Sequence, residues 1–209
     1  MNKNKKGNKN KKGNKNMLYI GDISKNDFLI IKELATKYKN ILEFGVGAST
    51  QVIANFTSGD FTSIDTSTEW IELTNKNLKY LNIQNNIKSM LYDNFTPSPD
   101  IKYDFVFNDG VDGLRSHFGI RIFPYIEIGG ILAYHDTRRT QDIMNVTNLI
   151  NAYYNEIDLI EVNKNGSNIT LIRKKKYEPY EEWNIAEEKV FLTKGGSVPK
   201  GVVPPSYMM

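Results

Sequence analysis

Four short stretches of this 209-residue chain hold residue types that can do chemistry. The first runs Glu43-Phe44-Gly45-Val46-Gly47-Ala48-Ser49-Thr50. Gly45 and Gly47 permit a tight turn and close backbone approach to a ligand. Ser49 and Thr50 can cap a following helix, whose N-terminal amides favour a carboxylate or phosphate. The second feature is Asp65, 18 residues after Gly47. An acid there can accept both hydrogen bonds of a ribose diol. A plain strand-to-helix turn and a helix-capping acid would explain each feature singly. Together they specify a nucleoside-bearing cofactor better than either does alone.

The third and fourth stretches are Phe107-Asn108-Asp109-Gly110 and His135-Asp136-Thr137. Two carboxylates on neighbouring strand ends can hold a hard divalent cation through oxygen, and Mg2+ needs few protein ligands. Such a cation can bind vicinal hydroxyls and lower the pKa of one. The competing reading gives Asp109 to the cofactor or a turn, and Asp136 to the next helix as a cap. The chain has two histidines. His135, beside Asp136, is the general-base candidate; a structural strand-end histidine is the alternative. His117 and Arg115 face either substrate or solvent, with solvent expected. Cysteine is absent, which excludes disulfides, thiolate zinc sites and cysteine nucleophiles.

The elements that must position these residues follow from apolar spacing. An amphipathic helix is expected over 24–39 behind a Ser24 cap. Strands are expected at 41–44, 60–64, 87–92, 103–108 and 130–135. Helices are expected at 49–56, from a Thr66/Glu69 capping box to about Leu81, near 114–126, and over 139–154. Two final strands, 157–163 and 168–173, are joined by Lys164, Asn165, Gly166 and Ser167, a hairpin-like turn. Five strand–helix alternations predict an α/β fold. The sheet is Rossmann-like, doubly wound, mostly parallel and seven-stranded, with a C-terminal antiparallel hairpin strand. Ligands bind such sheets beyond the carboxyl ends of the strands, where all four chemical features fall.

The net charge of +3, from 27 Lys plus Arg against 24 Asp plus Glu, is unevenly spread. Residues 2–16 repeat NKNKKG and hold seven Lys and no acid, leaving 20 basic residues against 24 acidic ones elsewhere. Lacking any apolar residue, the leader is expected to be disordered. It either makes weak contact with an anionic surface such as nucleic acid, or is a solubilising leader ahead of a true start at Met17. It holds no aromatics to stack on bases. The Gly- and Pro-rich residues 191–209 read as an irregular tail, so the domain is expected over 17–190. No apolar run approaches the roughly 20 residues of a membrane span. No signal sequence is visible, so a cytoplasmic protein is expected.

The strings ILEFGVGASTQVIA, FTSIDTSTEWIELTNKNL, YDFVFNDGVDGLR and IEIGGILAYHDTRR resemble successive motifs of class I S-adenosylmethionine-dependent methyltransferases. The DG and HDT motifs look like the small-molecule and sugar O-methyltransferase branch. The resemblance covers roughly residues 40–175. It implies that Glu43, Gly45 and Gly47 surround the methionine part of the cofactor and that Ser49 and Thr50 also bind it. It implies that Asp65, followed by Thr66, holds the ribose, and that Tyr92 and Asp93 border the adenine. Asp109 and Asp136 match the Mg2+ positions of metal-dependent relatives. Those relatives commonly place Asn or Asp where Thr137 stands, a weaker neutral ligand, and a third Gly where Ser49 stands.

Under this resemblance the chain methylates a small molecule or saccharide hydroxyl. A sulfonium methyl is already activated, so alignment and deprotonation of the acceptor suffice. An NAD-type oxidoreductase is the alternative, but Thr50 replaces the last glycine of G-x-G-x-x-G. A nucleic-acid methyltransferase using the basic leader is a further alternative. No Asn-Pro-Pro-Tyr-like motif accompanies it. Segments 17–30, 111–120 and 175–190 are the candidate acceptor wall. Tyr177, Tyr180 and Trp183 would either line that pocket or pack over the core.

Overall fold

The computed structural model describes residues 19–83 and 87–175. The leader, the C-terminal tail, and Tyr177, Tyr180 and Trp183 lie outside the described residues. The order is α1 (Lys25–Lys37), β1 (Asn40–Phe44), α2 (Ala48–Phe56), β2 (Asp60–Asp65), α3 (Thr68–Tyr80) and β3 (Ile87–Leu91). There follow β4 (Tyr103–Asn108), α4 (Asp112–Ile122), β5 (Ile126–Tyr134), α5 (Thr140–Tyr153), β6 (Ile157–Glu161) and β7 (Thr170–Lys174). The strands form one seven-stranded sheet, β3-β2-β1-β4-β5-β7-β6. Strands β1 to β5 run parallel, and β7 pairs antiparallel with both β5 and β6. The expected fold class is therefore the observed one.

Side-chain alternation along the central strands builds two cores. On β4, Phe105 and Phe107 face the layer of Ile31 and Leu34 from α1 and of Val52 and Ile53 from α2. Val106, between them, faces Phe118 of α4 and Val146, Leu149 and Ile150 of α5. Both faces are covered, so the strands read as near-continuous apolar runs. Among the described residues no helix is long and apolar enough to cross a membrane.

Several boundaries differ from expectation for local reasons. Helix α1 does start behind Ser24, whose hydroxyl accepts from the Asp27 amide at 3.1 Å while Asp27 accepts from the Ser24 amide. Helix α3, however, is capped by Ser67 rather than Thr66: the Ser67 hydroxyl accepts from the Trp70 amide at 3.2 Å. The Ser67 amide is itself held by Asp65 Oδ1 at 2.8 Å, which carries the chain one residue further before the helix begins. Helix α4 ends at Ile122 because Phe123-Pro124-Tyr125 form a short turn, and β5 consequently starts at Ile126. The β6–β7 connection is longer than a two-residue turn, with Asn163, Asn165 and Gly166 at positive φ. Residues 168–169 leave the strand because the Asn168 amide donates to Asp27 Oδ1, at 2.6 Å.

The pairing register aligns the site. Phe44 is level with Ile64 and Asn108, and Asn108 with Tyr134. Gly45, Asp65, Asp109 and His135 are therefore the next residue on four adjacent strands. Gly45 has φ +105°, and a Cβ there would lie 2.3 Å from the Asp109 carbonyl oxygen. Gly45→Ala is expected to destabilise the domain by at least about 1–3 kcal/mol from backbone strain alone. A urea unfolding midpoint unchanged in that variant would refute this account of the turn.

Candidate functional site

The turn after β1 is organised from below by a buried carboxylate. Glu43 is fully buried. Its Oε1 accepts the Ser49 hydroxyl at 2.5 Å, and its Oε2 accepts the Thr50 and Ser63 hydroxyls at 2.6 and 2.5 Å. Burial pushes the Glu43 carboxyl up to about 7, against those three hydroxyls. Thr50 Oγ1 in turn accepts the Gly47 amide at 2.8 Å. Glu43, Ser49 and Thr50 thus shape the turn from beneath, where direct cofactor contact was expected. Gly45 is likewise a packing glycine, closed against Asp109. Gly47 differs, since a Cβ there would meet nothing within 4 Å. It is the glycine that leaves open space over the sheet edge.

Asp65 sits beside this space, half-buried. Its Oδ2 accepts the Val46 amide at 2.7 Å and its Oδ1 the Ser67 amide. A carboxylate offers about four lone-pair sites, so two remain for a diol. Thr66 and Asp93 are exposed beyond their strand ends. Tyr92 is half-buried, its ring 4.9 Å from that of Phe44 and its hydroxyl 3.3 Å from His117 Nδ1. Sequence reasoning missed Gln51, which is fully buried and ties Ile20 to the turn: Nε2 donates to the Gly47 and Ile20 carbonyls, both at 2.8 Å. The described part of the expected acceptor wall at 17–30 thus adjoins the glycine turn.

Asp109 and Asp136 converge with His135, each residue offering a ligand atom within 4.8 Å of the others. Asp136 adopts φ +58°, a left-handed turn that non-glycine residues seldom take, at the end of β5. His135 is 8% exposed. Its Nδ1 lies 3.1 Å from Asp109 and 3.4 Å from Asp136, and its Nε2 lies 3.4 Å from Asp27. Burial opposes the charge on His135, yet Asp109, Asp27 and Asp136 outweigh it and hold the imidazolium up to about 10. The three surrounding carboxylates thus favour the charged form of His135 over the neutral form that a general base would need. Burial would also raise the Asp27 carboxyl, but His135, Ser24 and the Asn168 amide hold it well below the usual range.

The largest departure concerns Arg115, which is 5% exposed rather than facing solvent. Its Nε donates to the Gly110 carbonyl at 2.6 Å. Nη1 donates to Asp142 at 2.8 Å and to Asp136 at 3.4 Å, and Nη2 to Asp109 at 2.9 Å. Arg139 adds contacts to Asp136 at 3.0 Å and Asp142 at 2.6 Å. Thr137 is not a member of the cluster. Its hydroxyl is engaged by Asn163, the Asn168 carbonyl and Thr170 at 2.8–3.1 Å. Asp109 Oδ1 and Asp136 Oδ2 already face guanidinium, and Asp136 Oδ1 lies 3.4 Å from the His135 ring, so these residues do not fit a divalent cation. Asp27 and Asp142 were not singled out from sequence. Asp27 falls inside the expected first helix, and nothing local marks it or Asp142 as part of the site.

No family model matches the sequence, and no curated protein matches it significantly. Solved structures do share its fold. An O-methyltransferase from Bacillus cereus, in complex with S-adenosylhomocysteine, superposes with a TM-score of 0.58 at 16% identity, covering 73% of this chain and 83% of its own. The O-methyltransferase TomG from Streptomyces achromogenes, in complex with S-adenosylmethionine, gives 0.60 at 13%, covering 74% and 82%. An S-adenosylmethionine-dependent O-methyltransferase from Thermotoga maritima gives 0.57 at 15%, covering 76% and 68%. The chain thus has the Rossmann-like fold of these O-methyltransferases.

The raised Glu43 pKa has a definite sign in stability. A folded value of about 7 above the ordinary 4.5 means stability present at acid pH and lost as pH rises through 7. Glu43→Gln, which does not titrate, is expected to cost about 1–3 kcal/mol through lost hydroxyl acceptors. The wild-type advantage should shrink between pH 4.5 and 7. Parallel urea titrations of the two chains check this; a gap independent of pH would contradict it.

Proposed function

We propose that this chain is an S-adenosylmethionine-dependent O-methyltransferase acting on a hydroxyl of a small molecule or saccharide. The observation that carries the reading is the alignment of the open Gly47 turn, the half-free Asp65 carboxylate and the Asp109/Asp136 pair along one carboxyl edge of the sheet. The cofactor-bound neighbours of the same fold support it.

When bound, the cofactor supplies a methyl group activated by its sulfonium. Asp65, with acceptor capacity left beyond the Val46 and Ser67 amides, would hold the ribose hydroxyls. The turn at Gly47 lets the backbone lie close to the methionine portion, with Glu43, Ser49 and Thr50 holding that backbone still. Tyr92 and Asp93 border the adenine. Asp109 would border the cofactor. The Asp136 side chain is 30% exposed and is the proton acceptor for the substrate hydroxyl. The hydroxyl proton would pass to that carboxylate as the C–O bond forms and the sulfonium S–CH3 bond breaks, leaving S-adenosylhomocysteine. His135, already protonated, steadies the two acids. The net anionic charge of the strand ends also suits a cationic sulfonium.

The test pairs binding with turnover. S-adenosylhomocysteine is expected to raise the melting temperature, and NAD is not. Asp65→Asn should weaken S-adenosylhomocysteine binding roughly ten- to hundredfold, as lost hydrogen bonds to a charged group would. Asp136→Asn should leave that affinity within about twofold and lower turnover by about a hundredfold or more. Stabilisation by NAD alone would favour the oxidoreductase alternative and overturn the proposal.

A further inference from the structure

We infer that Arg115 takes the place of a divalent cation between Asp109 and Asp136, so that the acceptor is received through one hydrogen-bonding hydroxyl rather than chelated as a vicinal diol. The second half of this statement rests on the methyltransferase reading; the first does not.

A guanidinium has five N–H donors in a fixed fork. On Arg115 the Nε donor is spent on the Gly110 carbonyl, and the two terminal nitrogens on Asp142, Asp136 and Asp109, with Asp112 at 3.6 Å. The fork bridges the two acids that a cation would bridge, and it does so from a buried position on α4. Asp109 Oδ1 is contacted by both Arg115 and His135, and Asp136 Oδ2 by both Arg115 and Arg139. A divalent ion entering here would meet positive charge on two sides and would find its third expected ligand, Thr137, committed to Asn163, Asn168 and Thr170.

The consequence concerns substrate class. A bound cation can hold two adjacent oxygens and acidify one. A guanidinium without a free N–H can do neither. Arg115 is therefore a positioning residue: it fixes Asp109 and Asp136 and leaves the exposed carboxylate edge of Asp136 to accept one hydroxyl proton. An acceptor with a single suitably placed hydroxyl satisfies this site, and chelating geometry adds nothing.

Mn2+ is the probe, because its free form is counted directly by paramagnetic resonance. The full chain, stripped with EDTA and then titrated to about 1 mM Mn2+, the weak end for oxygen-ligand sites, is expected to show no stoichiometric site. Arg115→Met is expected to gain one site, which a further Asp109→Asn change removes. A merely structural role for Arg115 would not produce that gain. One Mn2+ bound to the wild-type chain and lost in Asp109→Asn overturns the inference. A folded Arg115→Met chain that binds none overturns it equally. The wild-type titration decides the matter even where Arg115→Met does not fold. S-adenosylhomocysteine melting shifts on the same wild-type samples report the methyltransferase reading separately. If that reading stands, turnover with a mono-hydroxyl acceptor should be unchanged in excess EDTA. Loss of turnover in EDTA would overturn the substrate assignment.

Discussion

The site depends on how closely the ends of β1 and β4 approach each other. A side chain at Gly45 would run into the Asp109 backbone, and one at Gly110 would strike the Phe44 ring. The Asp109 amide is locked to the Phe44 carbonyl at 2.7 Å. This contact lies at the switch point of the sheet, where β2 and β3 run out to one side and β4 and β5 to the other. It sets the glycine turn and the Asp109 carboxylate side by side. Without it, the proposed cofactor cradle and the acid pair would belong to separate edges of the molecule.

Two buried polar assemblies flank that contact, and each satisfies its charge differently. Beneath the turn, burial disfavours the ionised form of Glu43, and its three hydroxyl donors offset that only in part. Beyond β4 and β5, carboxylates meet guanidinium and imidazolium, and the charges persist. Removing one partner from such a buried set strands the others, at a cost well above the net worth of the intact pairing. The second assembly also draws distant chain into the site. Asp27 on α1 contacts His135 and holds Asn168 of the β6–β7 connection. Asp142 on α5 anchors both Arg115 and Arg139. The helices are thus coupled to the site through ionic contacts as well as through their apolar faces.

Much of the frame was legible in the chain. Buried parallel strands are apolar on both faces, so 41–44 and 103–108 stand out as short continuous runs. The Ser24 cap was readable because an N-cap is a local hydrogen-bond arrangement, complete within four residues. The shift of the α3 cap to Ser67 was not readable, because it follows from Asp65 capturing an amide in the folded turn. The early end of α4 was signalled only by Pro124. Strand β7 loses residues 168–169 to a bond with Asp27, 141 positions away in sequence.

The sequence by itself determined which residues stand at the strand ends, because period and strand length are short-range properties. Asp65, Asp109 and Asp136 are therefore recognisable as chemical candidates from their spacing alone. Only the tertiary structure decided what surrounds them. Glu43 became a support beneath the turn, His135 a charged partner, Thr137 a structural hydroxyl and Arg115 the cation between two acids. The physical reason is that the charge state and the free valences of a side chain depend on burial and on partners brought from other elements. Spacing along the chain contains neither.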